Sequence, residues 1–174
     1  MPRLGLDTAA VVDAALAVVD ERGPAALTLA AVAAHTGVAT PSLYKHVKGL
    51  ADLRERAAAQ VRTELGAELR EAVQGRSSTD AVSALLRAHQ EYADREPHRY
   101  ALLTARGQGT CPGQVDQVDA VMAAALRGYE LPEPELHHAT HALRAVALAS
   151  AALGGSAESR GLLVQLFTTG LRAL

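Results

Sequence analysis

Residues 28–48 have the sequence TLAAVAAHTGVATPSLYKHVK, and this stretch decides the fold. It predicts a short helix that Thr28 caps, a tight turn at Gly37, and a second short helix that Thr40 caps. Two short helices joined by such a turn form a helix-turn-helix, whose second helix can lie in the DNA major groove. The chain's two lysines, Lys45 and Lys48, both fall at the end of the second helix. This placement favours a DNA-binding function.

The composition is that of a globular protein. The 174 residues suffice for one domain with a good core, or for a small domain fused to a larger one. Apolar residues make up 49% and charged residues 21%, which argues against disorder. Because there is no apolar run of about 18 residues and no secretory leader pattern, we expect a cytoplasmic protein without a membrane partner. A single cysteine, Cys111, excludes an intramolecular disulfide and agrees with a reducing compartment.

Charge is distributed unevenly along the chain. The formal net charge of −2 argues against a general nucleic-acid binder covered in positive charge. Residues 1–62 carry seven Lys/Arg against six Asp/Glu (+1), whereas residues 63–174 carry ten against thirteen (−3). The asymmetry is mild, and it places the more positive part of the chain at the helix-turn-helix.

Helical periodicity extends over almost the whole sequence, with no internal repeat and no strand-like alternation. We therefore predict an all-α fold, with an N-terminal three-helix domain joined by a long helix to a helical C-terminal domain. The caps and apolar stripes predict about nine helices, which cover approximately residues 7–21, 28–36, 40–47, 51–73, 80–95, 100–105, 114–129, 133–153 and 159–173. In the long fourth helix the predicted buried stripe is Leu53, Ala57, Val61, Leu65 and Leu69.

Residues 7–55 closely resemble the N-terminal domain of the TetR family of bacterial transcriptional regulators. The resemblance is carried by the long first helix, by Thr28 followed by LAAVA, by Gly37-Val38, by LYKHV at 43–47, and by Leu53. It implies a DNA-binding domain over residues 1–48. It further implies that residues 49–174 form a helical effector-binding and dimerisation domain, with helix four as the connection.

The resemblance also implies a set of DNA contacts. Thr28 would hold a phosphate at a helix N-terminus, Pro41 would touch a thymine methyl, and Lys48 would bind phosphate. Tyr44 and His46 would contact phosphates and bases, and Lys45 a guanine edge or the backbone. The full set is Thr28, Thr40, Pro41, Ser42, Tyr44, Lys45, His46 and Lys48.

One position departs from the family pattern. Leu50 stands where the family usually has a lysine that meets a phosphate near the start of helix four. Leucine cannot make that contact. Either Lys48 substitutes for it, or the protein binds DNA with fewer charge contacts and a lower non-specific affinity.

Residues 80–174 resemble the family more loosely. The segments EPHRY at 96–100 and ALRA at 142–145 look like a recurring C-terminal type, although Leu148-Ala-Ser150 replaces the His-Gly-aromatic step that often follows. The candidate ligand-binding residues are His89, Tyr92, Tyr100, Leu103, Met122 and His141, for which the alternative is an ordinary core position. The residues expected at a dimer interface are Ala145, Ala149, Ala152, Leu162, Leu166 and Phe167. With one Phe and no Trp in the chain, a small or aliphatic effector fits better than a large flat one.

Other chemistry receives little support from the sequence. His137, His138 and His141 have spacings that can share one cation, but no Cys completes a ligand set, so we predict an exposed helix start and no metal or cofactor. Cys111 is interpreted as an inert loop thiol rather than a redox sensor, because Arg106 is the one nearby cation in sequence. No nucleophile elbow, phosphate-binding glycine loop or zinc-protease motif is present, so we do not expect an enzyme.

Together these patterns predict a repressor. It would bind a near-palindromic double-stranded operator as a homodimer and be released by a small-molecule effector. Two alternatives stay open at this point. One is a helical ligand- or metal-binding protein with a weakened DNA-binding head, and the other is a constitutive repressor without an effector.

Overall fold

The computed structural model describes residues 6–104, 117–153 and 157–172. Within these residues the chain forms nine α-helices and no strand, which confirms the all-α prediction. The helices are α1 (Thr8–Arg22), α2 (Leu29–Thr36), α3 (Thr40–Leu43), α4 (Leu50–Val73), α5 (Ser78–Arg95), α6 (Pro97–Thr104), α7 (Gln117–Leu126), α8 (Glu133–Leu153) and α9 (Ala157–Leu171). Short 3-10 helices follow α1, at Pro24–Ala26, and α7, at Arg127–Tyr129.

The ends of α1 show how local sequence sets a helix boundary. The Asp7 carboxylate accepts a hydrogen bond from the Ala10 backbone N–H at 2.7 Å, which satisfies one of the free amides of the first turn. Gly23 ends the helix with a φ of 78°, a left-handed value that favours glycine, and its N–H donates to the Val19 carbonyl at 2.7 Å.

Several predicted boundaries shift by a few residues. Helices α4 and α8 begin and end within one residue of the prediction, whereas α5 begins at Ser78 rather than at residue 80. Helix α6 begins at Pro97 rather than at residue 100, because proline fits the first helical position, where an N–H would have no partner. The helix predicted to reach Tyr129 ends at Leu126, and the chain tightens there into a 3-10 turn.

The contacts divide the chain into two compact units. The first unit contains α1, α2, α3, residues 50–61 of α4, and α6. The second unit contains residues 62–73 of α4, together with α5, α7, α8 and α9. These units describe packing, so the functional boundary at residue 48 stays a prediction.

Both units are built on aliphatic cores. In the first, Val11 and Leu16 of α1 are buried, as is Val32 of α2. In the second, Leu85 of α5 and Leu143 of α8 are fully buried. The predicted stripe of α4 is confirmed, since each of its five residues is at most 1% exposed. Burial of each such leucine contributes about 1.5–3 kcal/mol to stability. None of the described helices is long and apolar enough to cross a lipid bilayer.

Candidate nucleic-acid interface

Helices α2 and α3 form a helix-turn-helix. The Thr28 hydroxyl accepts a hydrogen bond from the Ala31 backbone N–H at 3.1 Å and so caps α2, as predicted. Gly37 follows α2 in the left-handed conformation (φ 69°, ψ 23°), also as predicted. The Val38 N–H then donates to the Ala33 carbonyl at 3.1 Å and closes the turn. The local signals in the sequence therefore specify the turn that orients α3.

The prediction that Thr40 caps α3 is wrong by one residue. Ala39 is the N-cap, with extended dihedrals (φ −74°, ψ 140°), and its carbonyl accepts the Ser42 N–H at 2.8 Å. Thr40 is already the first helical residue, and its side chain makes no capping hydrogen bond. The helix therefore begins one residue earlier than expected, with an i→i+3 hydrogen bond to the Ala39 carbonyl and no side-chain cap.

Helix α3 is also shorter than the predicted 40–47. It ends at Leu43, and residues 44–46 continue as turns. The His46 N–H donates to the Leu43 carbonyl at 2.9 Å, an i→i+3 bond of the tighter 3-10 kind. The Val47 N–H donates to the same carbonyl at 3.0 Å. The segment thus stays helical in its general course to Val47, but the regular α-helix is a single turn.

The α3 segment has a buried side and an exposed side. Leu43 and Val47 are 0% and 2% exposed and anchor the segment in the core. Tyr44 is 59% exposed, although its ring is apolar enough to be buried. The exposed side chains around it, which we call the recognition face, are Pro41, Tyr44, Lys45 and Lys48. Of the other predicted contact residues, Thr28 is exposed, whereas Thr40, Ser42 and His46 are half-buried.

Asp52 fixes the backbone at Lys48. Its carboxylate accepts the Lys48 backbone N–H at 2.9 Å and the Arg56 Nε–H at 3.0 Å. The backbone hydrogen bond from Lys48 is the main cause that lowers the pKa of Asp52 below its ordinary value, and Arg56 adds to it. An acidic residue in the first turn of α4 thus reaches back over the helix start, in the manner of a capping box.

Arg54 ties α4 to the start of α2. Its Nη2 donates to the Leu27 carbonyl at 3.3 Å, one residue before the Thr28 cap. Further along α4, the Gln60 amide donates to the Asp13 carboxylate at 3.1 Å and so holds α4 to α1. Sequence reasoning missed Asp52 and Arg54 as positioning residues. The available signal was an acidic residue three positions after Gly49, at the start of a predicted helix.

Helix α6 closes the C-terminal end of α1. Arg99 donates through Nε and Nη2 to the two carboxylate oxygens of Asp20, at 2.9 and 2.8 Å. Nδ1 of His98 lies 3.0 Å from the Asp20 carbonyl, which belongs to the last turn of α1 and has no acceptor role within the helix. The EPHRY segment at 96–100, which the sequence marked only by its resemblance to a family pattern, thus contacts α1 through the side chains of His98 and Arg99.

The candidate ligand residues fall into both units. His89, Tyr92 and Met122 are at most 3% exposed and lie in the second unit, and His141 is exposed on α8. Tyr100 is buried and Leu103 half-buried, both on α6 in the first unit. Burial lowers the pKa of His89 to about 4, and the positive charge of Arg144 adds to the shift.

The residues predicted at a dimer interface are largely exposed. On α9, Leu162 is 56% and Leu166 63% exposed, and Phe167 is half-buried. On α8, Ala145 and Ala149 are exposed, and the side chain of Ala152 lies outside the described set. A groove of about 430 Å³ between α8 and α9 brings Leu166 and Phe167 together with Ala142 and His138.

The histidines at the start of α8 contact one another. The ring centroids of His137 and His141 are 4.5 Å apart, and those of His137 and His138 are 6.0 Å apart. In the described part of the chain, no three His, Cys, Asp or Glu side chains are grouped so that they could hold a metal ion. Cys111 and Arg106 lie outside the described residues.

Comparison with known proteins places this arrangement in a family. Residues 11–57 match the family described as "Bacterial regulatory proteins, tetR family". The chain is 32% identical over 149 residues to YobS, an uncharacterised HTH-type transcriptional regulator of Bacillus subtilis (strain 168), a match that covers 83% of this chain and 77% of that protein.

Two solved structures share the fold. A TetR transcriptional regulator from Streptomyces coelicolor superposes with a TM-score of 0.72 at 21% identity, over 94% of this chain and 96% of that one. A TetR variant from Acinetobacter baumannii AYE in complex with minocycline gives a TM-score of 0.66 at 19% identity, over 97% and 93% of the two chains. With its capped helix-turn-helix and its relatives among HTH-type regulators, the chain belongs to the TetR family of transcriptional regulators.

Proposed function

We propose that this regulator is a repressor that binds a near-palindromic operator as a homodimer, through the recognition face formed by α3 and the residues that follow it. The observation that carries the proposal is the 59% exposure of Tyr44 directly beside the fully buried Leu43. Packing explains Leu43 but gives no reason for a large aromatic ring to lie in water. Insertion into a DNA groove, between Pro41 and the two lysines, supplies one.

Each contact residue has a proposed role that its position supports. Thr28, at the N-terminus of α2, holds a phosphate with its hydroxyl and the free amides beside it. Thr40, Pro41 and Ser42 approach base edges, while Tyr44 and His46 contact phosphates and bases. Lys45 reaches a guanine edge or the backbone, and Lys48 binds phosphate in the place of the lysine that Leu50 replaces.

The exposed surface of α8 and α9 supports the homodimer. Leu162 and Leu166 expose apolar surface along one side of α9, and Ala145 and Ala149 allow a second helix to approach α8 closely. Two recognition helices in such a dimer enter successive major grooves about 34–36 Å apart. Leu166→Glu should therefore convert the dimer to a monomer in sedimentation velocity. Ala67→Glu, at an exposed position of α4, is the matched control.

A small-molecule effector is the third part of the proposal. We propose that it binds among the candidate residues of the second unit, His89, Tyr92, Met122 and His141, and we expect its binding to tilt α4, a 24-residue helix that contributes to both units. A coupling of about 1–3 kcal/mol lowers operator affinity by roughly 5–150-fold. The minocycline complex of the Acinetobacter baumannii protein supports ligand binding on this fold. An effector that binds the protein but leaves its operator affinity unchanged contradicts the coupling.

The decisive experiment is fluorescence anisotropy with the promoter DNA that flanks the protein's own coding region, across a salt series. We expect tight, sequence-selective, salt-dependent binding of two protomers per site. Tyr44→Ala and Lys48→Ala should each weaken it, and Lys48→Ala should lower the slope of log K against log salt by about one.

Arg76→Ala, which removes an exposed cation from the second unit, is the control and should change neither affinity nor slope. Equal binding to random DNA, or wild-type binding by both head variants, refutes the DNA-binding proposal.

A further inference from the structure

A second groove in the second unit has a different chemical character. It lies between α5 and α9 and has a volume of about 710 Å³, enough for a small organic molecule. It shares no residue with the candidate effector set. Within the described residues that line it, the charged side chains are two arginines, Arg87 and Arg172.

The two arginines lie at opposite ends of the groove. Nη2 of Arg172 donates to the Thr79 hydroxyl at 3.2 Å, so the end of α9 lies beside the start of α5. Gly161 and Val164 of α9 line the same groove as Leu86 and Arg87 of α5. From these residues and the Arg172–Thr79 contact we infer that the two helices run antiparallel along the groove, which separates the two arginines. Arg87 lies two turns further along α5 than Thr79, about 12 Å at a rise of 1.5 Å per residue.

Each guanidinium can take up an anion at low cost. Arg87 pairs with Glu91 at 3.8 Å, but both side chains are more than 60% exposed, so this ion pair is weak and readily exchanged. Arg172 is exposed and donates to a neutral hydroxyl. A planar guanidinium binds a carboxylate with two parallel hydrogen bonds, which are shorter and stronger than those between neutral groups.

The middle of the groove suits an apolar stem. Leu86 and Val164 supply apolar surface. The Ser83 hydroxyl donates to the Thr79 carbonyl at 2.7 Å, and the Thr168 hydroxyl donates to the Val164 carbonyl at 2.8 Å. Both hydroxyl donors therefore already have a partner within their own helix. They stay satisfied when an apolar ligand stem lies beside them.

We propose that this groove binds an elongated organic dianion, with an apolar stem and a carboxylate at each end. The stem lies along Leu86 and Val164, and the carboxylates pair with Arg87 and Arg172. The site does not require DNA and goes beyond the repressor function proposed above.

The test is isothermal titration calorimetry of the full chain, without DNA, with three α,ω-dicarboxylates (butanedioate, octanedioate and dodecanedioate) and with octanoate. Octanedioate or dodecanedioate should bind more tightly than butanedioate, which is too short to span the arginines. Octanoate, which can engage one arginine, should bind at least tenfold more weakly than octanedioate. Arg87→Gln and Arg172→Gln should each bring octanedioate to the affinity of octanoate.

Arg70→Gln, an exposed cation on α4, is the matched control and should bind as the wild type does. Circular dichroism verifies that the variants fold, as expected for substitutions of exposed side chains. The proposal is overturned if no dicarboxylate binds at millimolar concentration, if both groove variants bind as the wild type does, or if inorganic phosphate competes as well as octanedioate. Operator binding is measured separately, so a negative result here leaves the DNA-binding proposal standing.

Discussion

Acid should destabilise the second unit through one residue, His89. This side chain is 3% exposed on α5, and burial, with a smaller contribution from Arg144, holds its pKa at about 4 against 6.5 for an ordinary histidine. The unfolded chain therefore takes up a proton at a pH where the folded chain does not. The contribution of neutral, buried His89 to the free energy of unfolding is therefore present above pH 6.5. It is lost as the pH falls from 6.5 towards 4.

The magnitude follows from the two pKa values. Between pH 7.5 and 4.5, preferential protonation of the unfolded chain lowers the free energy of unfolding by about 2.5 kcal/mol. For a protein of this size that corresponds to a fall of roughly 5–10 °C in the melting temperature. His89→Gln, which keeps a polar side chain but cannot titrate, should remove this part of the pH dependence.

Urea unfolding followed by circular dichroism, at four pH values from 7.5 to 4.5, measures the effect directly. Over this range the free energy of unfolding should fall by about 2.5 kcal/mol more for wild type than for His89→Gln. This difference does not depend on the absolute stabilities of the two proteins at pH 7.5. His138→Gln, at an exposed position of α8, should keep the wild-type dependence. If His89→Gln and wild type show the same dependence on pH, the reasoning from burial is wrong.

Three further predictions concern the first unit and the turns. Arg99→Gln should lower the free energy of unfolding by about 1 kcal/mol in a urea titration, since it breaks the paired hydrogen bonds to Asp20. Arg22→Gln is the control, because it breaks an exposed ion pair of 3.8 Å and should lower the free energy of unfolding by less than about 0.5 kcal/mol. Gly37→Ala should lower the free energy of unfolding by about 1 kcal/mol in thermal unfolding because of the left-handed φ of 69°, although nothing lies within 4 Å of the new methyl group. Gly37→Asn should lower it less, because asparagine adopts this conformation more readily than alanine. Equal effects of the two substitutions would contradict the conformational explanation. Gly128→Ala should lower the free energy of unfolding by about 1–3 kcal/mol, because its Cβ would lie 2.8 Å from the Ser78 hydroxyl oxygen and 3.0 Å from the Ser78 backbone nitrogen. Gly161→Ala, with open space around it, is the control. Equal melting temperatures for the two variants would refute the packing argument.

The features that the sequence predicted well are those with local causes. The cap at Thr28 depends on a side chain and an amide three residues apart, and the turn at Gly37 depends on one residue. The buried stripe of α4 follows from the spacing of its apolar residues alone. The cap and the turn are each complete within about one helical turn, and the stripe within one helix, so none of these features depends on a contact between distant residues.

The features that the sequence did not predict depend on distant residues or on the backbone. Thr40 has the side chain of a cap, but α3 begins at Thr40 after Ala39, whose methyl side chain cannot cap and gives no signal in the sequence. The contact of α6 with α1 joins residues 79 positions apart in sequence. The groove between α5 and α9 similarly requires Arg172 to lie beside Thr79, 93 positions away. Periodicity within one helix carries no information on such pairings.

The membership of α6 in the first unit has a consequence for how the chain is made. The chain leaves that unit at residue 61, contributes residues 62–95 to the second, and returns with α6 before leaving again. On the ribosome, α1 to α3 emerge long before the helix that completes their unit, so the Asp20 carbonyl and carboxylate stay hydrated until α6 has been synthesised. A fragment that ends at residue 61 lacks α6, and with it the contacts of His98 and Arg99 with Asp20. In the full chain these contacts form at the entropic cost of closing the segment that connects residues 61 and 96. The two units are therefore interleaved along the chain, and neither is complete when α5 has been synthesised.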